Sequence, residues 1–271
     1  MASKPTRISR GADKMATVMN SELDIKSQVS ADEWKIRVDL AAAYHLVEHY
    51  GWTDMIFTHL SARVPGPDDH FLINPYGLMF DEITASNLVK VDLDGNIVLS
   101  SGYDINPAGF CIHSAIHMAR HDAQAVMHLH SDDGAAVSAM DEGLLPLTQT
   151  AMVLLPQVAY HDYEGVALDL SERERLIRDI GDKKILMLRN HGTLAVGETV
   201  SSCFLLMYLL ERSCSMQVRA MSSQKLRMPS EDAMNTSASQ GNRLIESDGL
   251  HTLAWPALLR LLDRKGSNFR E

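Results

Sequence analysis

The run Ala125-Val126-Met127-His128-Leu129-His130 constrains this chain more than any other, because it is an apolar segment closing on two histidines one residue apart. Alternate residues of a β-strand face the same side, so both imidazoles point one way from the end of a buried strand. A third histidine, His191, lies in Arg189-Asn190-His191-Gly192, directly after the strand-like run Lys184-Ile185-Leu186-Met187-Leu188. Three neutral imidazoles converging where two neighbouring strands end form a metal-site pattern. A lone pair of histidines at a strand end is ordinary polar punctuation. The third, also placed just past a buried strand, tips the reading toward a metal.

At 271 residues with 45% hydrophobic composition, the chain can bury a full core as one domain with tails. Its net charge of −10 and the lack of a basic stripe exclude nucleic acid as a partner. Cys111, Cys203 and Cys214 are odd in number and form no C-x-x-C pair, which argues against a disulfide framework and fits a reducing cytoplasm. Lys4, Arg7, Arg10 and Lys14 near the start accompany no secretory apolar stretch. No apolar run is long enough for a membrane span, so a soluble cytoplasmic protein is expected.

Residues 1–29 are polar and Ser-rich and read as a flexible arm. Ser30 and Glu33 then predict a capping box opening a helix that Gly51 stops. Strands are expected within Met55–Val64 and at His70–Ile73 and Leu88–Val91, the last turning at Asp94-Gly95 into Ile97–Leu99. Asp92, Asp94 and Asn96 imitate the start of a calcium loop whose remainder is missing, so the turn reading holds. Helices are predicted at Ala108–Arg120, Gly134–Met140 and Glu198–Met221, and further strands at Val158–Tyr160 and Ile185–Leu188. The interleaving predicts an α/β layered domain whose hairpins make the sheet partly antiparallel. Ser222–Asn242 reads as a linker, and Leu250–Leu262, with Trp255, as an amphipathic helix docking on the domain or on a second subunit.

Over about residues 30–225 the chain resembles the class II aldolase and adducin family. The resemblance is carried by the two histidine motifs, by Gly134-Ala135-Ala136-Val137-Ser138 and by Ile73-Asn74-Pro75-Tyr76-Gly77-Leu78. Leu72–Gly77 and Tyr160-His161-Asp162-Tyr163-Glu164-Gly165 are similar to the adducin-like branch. The resemblance implies a three-layer α/β/α domain over 30–225 with a mixed, largely antiparallel central sheet, commonly assembled as a homotetramer with sites between subunits. Residues 226–271 would then supply a linker and a C-terminal amphipathic helix. It also implies a divalent metal, zinc first and Fe(II) as the alternative, held by His128, His130 and His191.

The departures from the family pattern matter as much. Family aldolases carry Ser-Ser-Glu before the helix that precedes the histidine strand, with the glutamate as acid/base; here the run aligns with Pro107-Ala108-Gly109. The phosphate loop after the first helix appears as Thr58-His59-Leu60-Ser61, which makes His59 and Ser61 candidate substrate-binding residues. A downstream tyrosine of some family aldolases maps near Gln149 or Thr150. Replacements for the lost base are sought in His113, which shares a helix face with His117, and in the loop acids Asp162 and Glu164, with His113 and Glu164 the catalytic candidates. Asp132 and Asp133 are expected to cap the helix that follows the histidine strand.

The resemblance, taken with these departures, implies a metal-dependent, aldehyde-lyase type enzyme acting on a small hydroxy-carbonyl substrate, with Gly109 where the family's usual glutamate stands. The alternatives are a non-haem Fe(II) oxygenase built on the same three histidines, and a non-catalytic adducin-like assembly module. Intact imidazoles weigh against the last, since their burial without a metal needs other hydrogen-bond partners.

Overall fold

The computed structural model describes residues 24–66, 69–166, 171–223, 225–246 and 249–271. The chain begins with a short helix, α1 (Ile25–Gln28), and α2 (Ala31–Tyr50), followed by β1 (His59–Arg63), β2 (His70–Ile73), β3 (Val89–Asp92) and β4 (Ile97–Leu99). Then come α3 (Pro107–Ala119), β5 (Ala125–Leu129), α4 (Asp132–Ser138), α5 (Gln149–Leu154), β6 (Val158–His161), α6 (Glu172–Ile180), β7 (Ile185–Leu188) and β8 (Gly192–Gly197). Helices α7 (Val200–Ala220), α8 (Glu231–Glu246) and α9 (Gly249–Lys265) close the chain.

The strands form one sheet in the order β4-β3-β2-β1-β5-β8-β7-β6. Only β6 and β7 run parallel; every other neighbouring pair is antiparallel. The expected mixed, largely antiparallel α/β sheet is therefore present. The two histidine-bearing strand ends are not neighbours, however, because β8 lies between β5 and β7. The short Gly192–Gly197 run was missed as a strand, being small-residue rich and directly continuous with the histidine turn.

Period-two alternation divides the core. From β5, Ala125, Met127 and Leu129 face α2 and α7, packing with Leu40, Tyr44, Phe204 and Met207. Val126 points the other way and joins Leu194 and Val196 of β8 under Ile112 and Ile116 of α3 and Leu176 and Ile180 of α6. Helices thus cover both faces, and each fully buried Leu or Ile contributes about 1.5–3 kcal/mol of transfer free energy.

Local expectations were met with revisions. Ser30 accepts the Glu33 amide at 3.1 Å, and Gly51 ends α2 in the left-handed region at φ 72°. The reciprocal half of the capping box is absent, because the Glu33 carboxylate instead binds Arg37 at 3.0 Å and Lys90 at 2.8 Å. Asp92 organises the β3–β4 turn by accepting the amides of Asp94 and Asn96, as the turn reading requires. Ser131, not an aspartate, caps α4 through the Gly134 amide, leaving Asp132 and Asp133 in its first turn.

The linker reading of 222–242 is corrected by α8, whose Asn242 accepts a hydrogen bond from Gln157 just after α5. Polar composition concealed it, because α8 packs on the domain with part of one face and leaves the rest to water. The expected C-terminal helix docks on the parent domain: Trp255 donates to Asp39 of α2 at 2.9 Å, and Phe269 is fully buried. Most of the expected N-terminal arm lies outside the described residues, and α1 occupies its last part.

Candidate metal centre

His128 is the penultimate residue of the fully buried β5, His130 follows directly after the strand, and His191 sits in the turn between β7 and β8. Antiparallel pairing of β5 with β8 sets Leu129 beside Thr193, bringing that turn against the end of the histidine strand. Asn190 takes a left-handed backbone, φ 55°, which Asn tolerates better than most residues. Gly192 is required by contact: a Cβ there would stand 2.3 Å from the Leu129 carbonyl oxygen. The Asn-His-Gly triplet is thus what this tight approach demands of the backbone.

The three Nε2 atoms converge. His130 Nε2 lies 2.9 Å from that of His128 and 2.9 Å from that of His191. The outer nitrogens define the tautomers. His128 Nδ1–H donates to the Thr193 carbonyl at 2.9 Å, and His130 Nδ1–H donates to the Asp54 carboxylate at 3.0 Å. Both Nε2 atoms therefore present lone pairs, with no proton to share between them, an arrangement that a cation resolves. A tetrahedral zinc with Zn–N near 2.0–2.1 Å spaces its nitrogens by about 3.3 Å, slightly wider than observed. The donor set fits a divalent ion of borderline softness.

Electrostatics favour the neutral, ligating form. Burial, reinforced by the neighbouring rings, holds His128 well below the ordinary histidine range. Burial first, and then His130 and His161, depress His191 to about 4.

Sequence reading missed the supports of this centre. Glu211 of α7 is buried and accepts hydrogen bonds from Ser131 and, at 2.6 Å, from Thr193 Oγ1. It thereby clamps the residue after His130 to the residue whose carbonyl orients His128, while burial raises its own pKa. A lone carboxylate within the apolar pattern of α7 was the available signal. Asp54, in the loop before β1, carried no signal of its own.

The centre opens into a cleft of about 550 Å³ lined by His59, Asn106, Ala108, Tyr76, Tyr163 and the three histidines. His59 pairs in register with His128 and lines this cleft, as a substrate-binding residue must. Ser61 does not: it is fully buried, bonded to His113 at 2.5 Å and to His117 at 2.8 Å. His113 is likewise fully buried behind His59, so the sequence candidate for acid/base lies one ring away from the cleft. Glu164 is gripped by Arg175 through Nε at 2.6 and 2.8 Å, and that hydrogen bonding holds its carboxylate below the usual range. An acid so engaged is poorly placed to take a proton. Gly109 packs its Cα side against His59, and a Cβ there would meet the ring at 2.4 Å.

Residues 38–218 match the family model for the class II aldolase and adducin N-terminal domain. The chain belongs to the class II aldolase and adducin family. An aldolase II superfamily protein from Pseudomonas syringae is 51% identical, with 91% of this chain and 99% of that one superposed at a TM-score of 0.88. L-fuculose 1-phosphate aldolase from Glaciozyma antarctica is 28% identical over 89% of this chain and 94% of its own, at a TM-score of 0.77. Alpha-adducin of Rattus norvegicus is 46% identical over 191 residues, 69% of this chain but 26% of the adducin. Among the described residues no helix is long and apolar enough to cross a membrane.

Proposed function

We propose that this chain is a metal-dependent enzyme of aldehyde-lyase type, acting on a small hydroxy-carbonyl compound with a divalent ion, zinc first, held by His128, His130 and His191. The observation that carries the reading is the convergence of three Nε2 atoms, two of them with their outer nitrogens already donating. When bound, such an ion supplies Lewis acidity to a carbonyl or hydroxyl oxygen. The chain's own part is to fix the imidazole tautomers through Thr193 and Asp54, and to clamp the two strand ends through Glu211.

The cleft favours an unphosphorylated substrate. No lysine or arginine is among the described residues lining it, and Ser61, at the place of the family's phosphate loop, is spent on His113 and His117. Phosphate without a lysine or arginine beside it loses the charge-assisted side-chain contacts that usually hold it. Exposed Phe57, Tyr163 and Val166 at the cleft mouth suit burial against a second copy, in line with a homotetramer. Three buried cysteines suit a reducing cytoplasm.

A non-catalytic assembly module is the second reading, favoured by the identity to alpha-adducin. Elemental analysis of protein purified without chelator, with His191→Ala as control, separates the readings. Stoichiometric zinc lost in the variant is expected. Iron in its place would favour an Fe(II) oxygenase, and no metal in either protein, even after reconstitution, would leave the assembly module.

A further inference from the structure

We infer that His59 is the residue that meets the substrate opposite the three-histidine centre, accepting a hydrogen bond from a substrate hydroxyl through an Nε2 whose lone pair is dictated by a buried chain ending on the Ala123 carbonyl. The inference rests on the hydroxy-carbonyl reading above and names the side chain that replaces the missing carboxylate at 109.

The chain can be followed proton by proton. The Ala123 carbonyl can only accept, so the proton on the 3.1 Å contact belongs to His117 Nδ1. A neutral His117 then has a bare Nε2, which takes the Ser61 hydroxyl proton across 2.8 Å. With its one proton committed, Ser61 Oγ accepts from His113 Nδ1–H at 2.5 Å. His113 Nε2 is then bare and accepts from His59 Nδ1–H at 3.2 Å. A neutral His59 is left with an unprotonated Nε2, and among the described residues nothing bonds it. Burial supports the neutral state of His113 and His117, bringing both down to about 3. One carbonyl thus sets the tautomers of three histidines.

The placement is as specific as the tautomer. His59 lines the cleft together with the three converging histidines, and its ring centroid is 5.3 Å from that of His128. Its Nε2 would lie 2.8 Å from a Cβ at position 109, so the imidazole occupies the space into which any side chain there would project. In a family whose acid/base carboxylate stands at that position, the glycine leaves room for a ring brought in from β1. His113, Ser61 and His117 act through His59 and are positioning residues.

The test is nitrogen NMR of the zinc-loaded full chain labelled at its histidines, at one fixed pH near neutrality, with and without dihydroxyacetone as the probe. The expected result is a protonated Nδ1 and a bare Nε2 on His59, His113 and His117. On adding the probe, His59 Nε2 should move while its Nδ1 proton stays. Ser61→Ala should give His59 and His113 mixed tautomers without loss of zinc, an effect that mere packing would not produce. His59→Leu should keep one zinc and weaken the probe by about tenfold, the size of one lost hydrogen bond. A proton on His59 Nε2 overturns the inference. So does a probe that shifts the resonances of His128, His130 and His191 but not those of His59, an outcome that leaves the metal reading standing. A probe that shifts no histidine overturns both, since it removes the hydroxyl that His59 would face.

Discussion

The imidazole of His59 stands directly across the β1–β5 ladder from His128, and Gly109 of α3 lies against it so closely that one methyl group would overlap the ring. This relationship packs against each other the glycine and the histidine that the resemblance to family aldolases singled out as departures.

Gly109→Ala follows from it. The new methyl would lie 2.4 Å from His59 Cδ2 and 2.7 Å from Cγ, and the ring is buried and tethered to His113. Overpacking of this kind costs about 1–3 kcal/mol. Urea denaturation of the metal-free variant should show a loss in that range; an unchanged midpoint would mean that the ring has somewhere to go.

His128→Ala should abolish stoichiometric metal while leaving a folded protein, because the ring contributes one candidate ligand nitrogen and a single hydrogen bond to Thr193. Elemental analysis beside circular dichroism checks both halves. Metal retained at one per chain would place the site elsewhere.

Acid should destabilise the metal-free chain steeply. Burial first, and then the charge of His117 on His113 and of Arg63 on His117, depresses both histidines to about 3 from 6.5. Below pH 6.5 the unfolded chain takes up protons that the folded one refuses. The stability is therefore fully present above that value and is lost as the pH falls toward 3, at about 1.4 kcal/mol per pH unit for each histidine. Urea midpoints between about pH 7.5 and pH 5 should fall accordingly. A flat profile would show that these rings are protonated in the folded chain.

Glu164→Gln should change neither metal content nor the binding of dihydroxyacetone. Its carboxylate is committed to Arg175 and is not among the described residues lining the cleft. Loss of probe binding in isothermal titration would return Glu164 to the site.

Phe269→Ala should cost about 3–5 kcal/mol, the usual toll of deleting a buried aromatic ring. The ring is fully buried, and the Phe269 carbonyl accepts the Ala85 amide at 3.1 Å, fastening the C-terminus beside the 3-10 turn at Phe80–Glu82. Thermal denaturation measures it, and a change below about 1 kcal/mol would mean that the C-terminal segment is a loose appendage.

The histidine strand, the long helices at Ala31–Tyr50 and Val200–Ala220, the histidine pair and its third partner were readable along the chain, whereas β8 and the helices at Gln149–Leu154 and Glu172–Ile180 were not. Each rests on a local rule: period-two alternation in Ala125–Leu129, an apolar stripe in Val200–Ala220, a cap at Ser30. Helix α8 escaped because its Ser- and Asn-rich sequence forms a helix only with α5 and the segment after it to lean on.

Sequence alone determined that His128, His130 and His191 end or follow strands, and that the run Pro107-Ala108-Gly109 carries no carboxylate. Only tertiary structure decided that β8 separates the two histidine-bearing strands, and that His59 fills the space over Gly109. It alone buried Ser61 and His113 and tied Glu164 to Arg175. The physical reason is that alternation and capping are properties of neighbours in the chain. Whether a polar side chain faces a cleft or is spent on a buried partner depends on contacts between residues about fifty positions apart, such as His59 with His113, which no local pattern encodes.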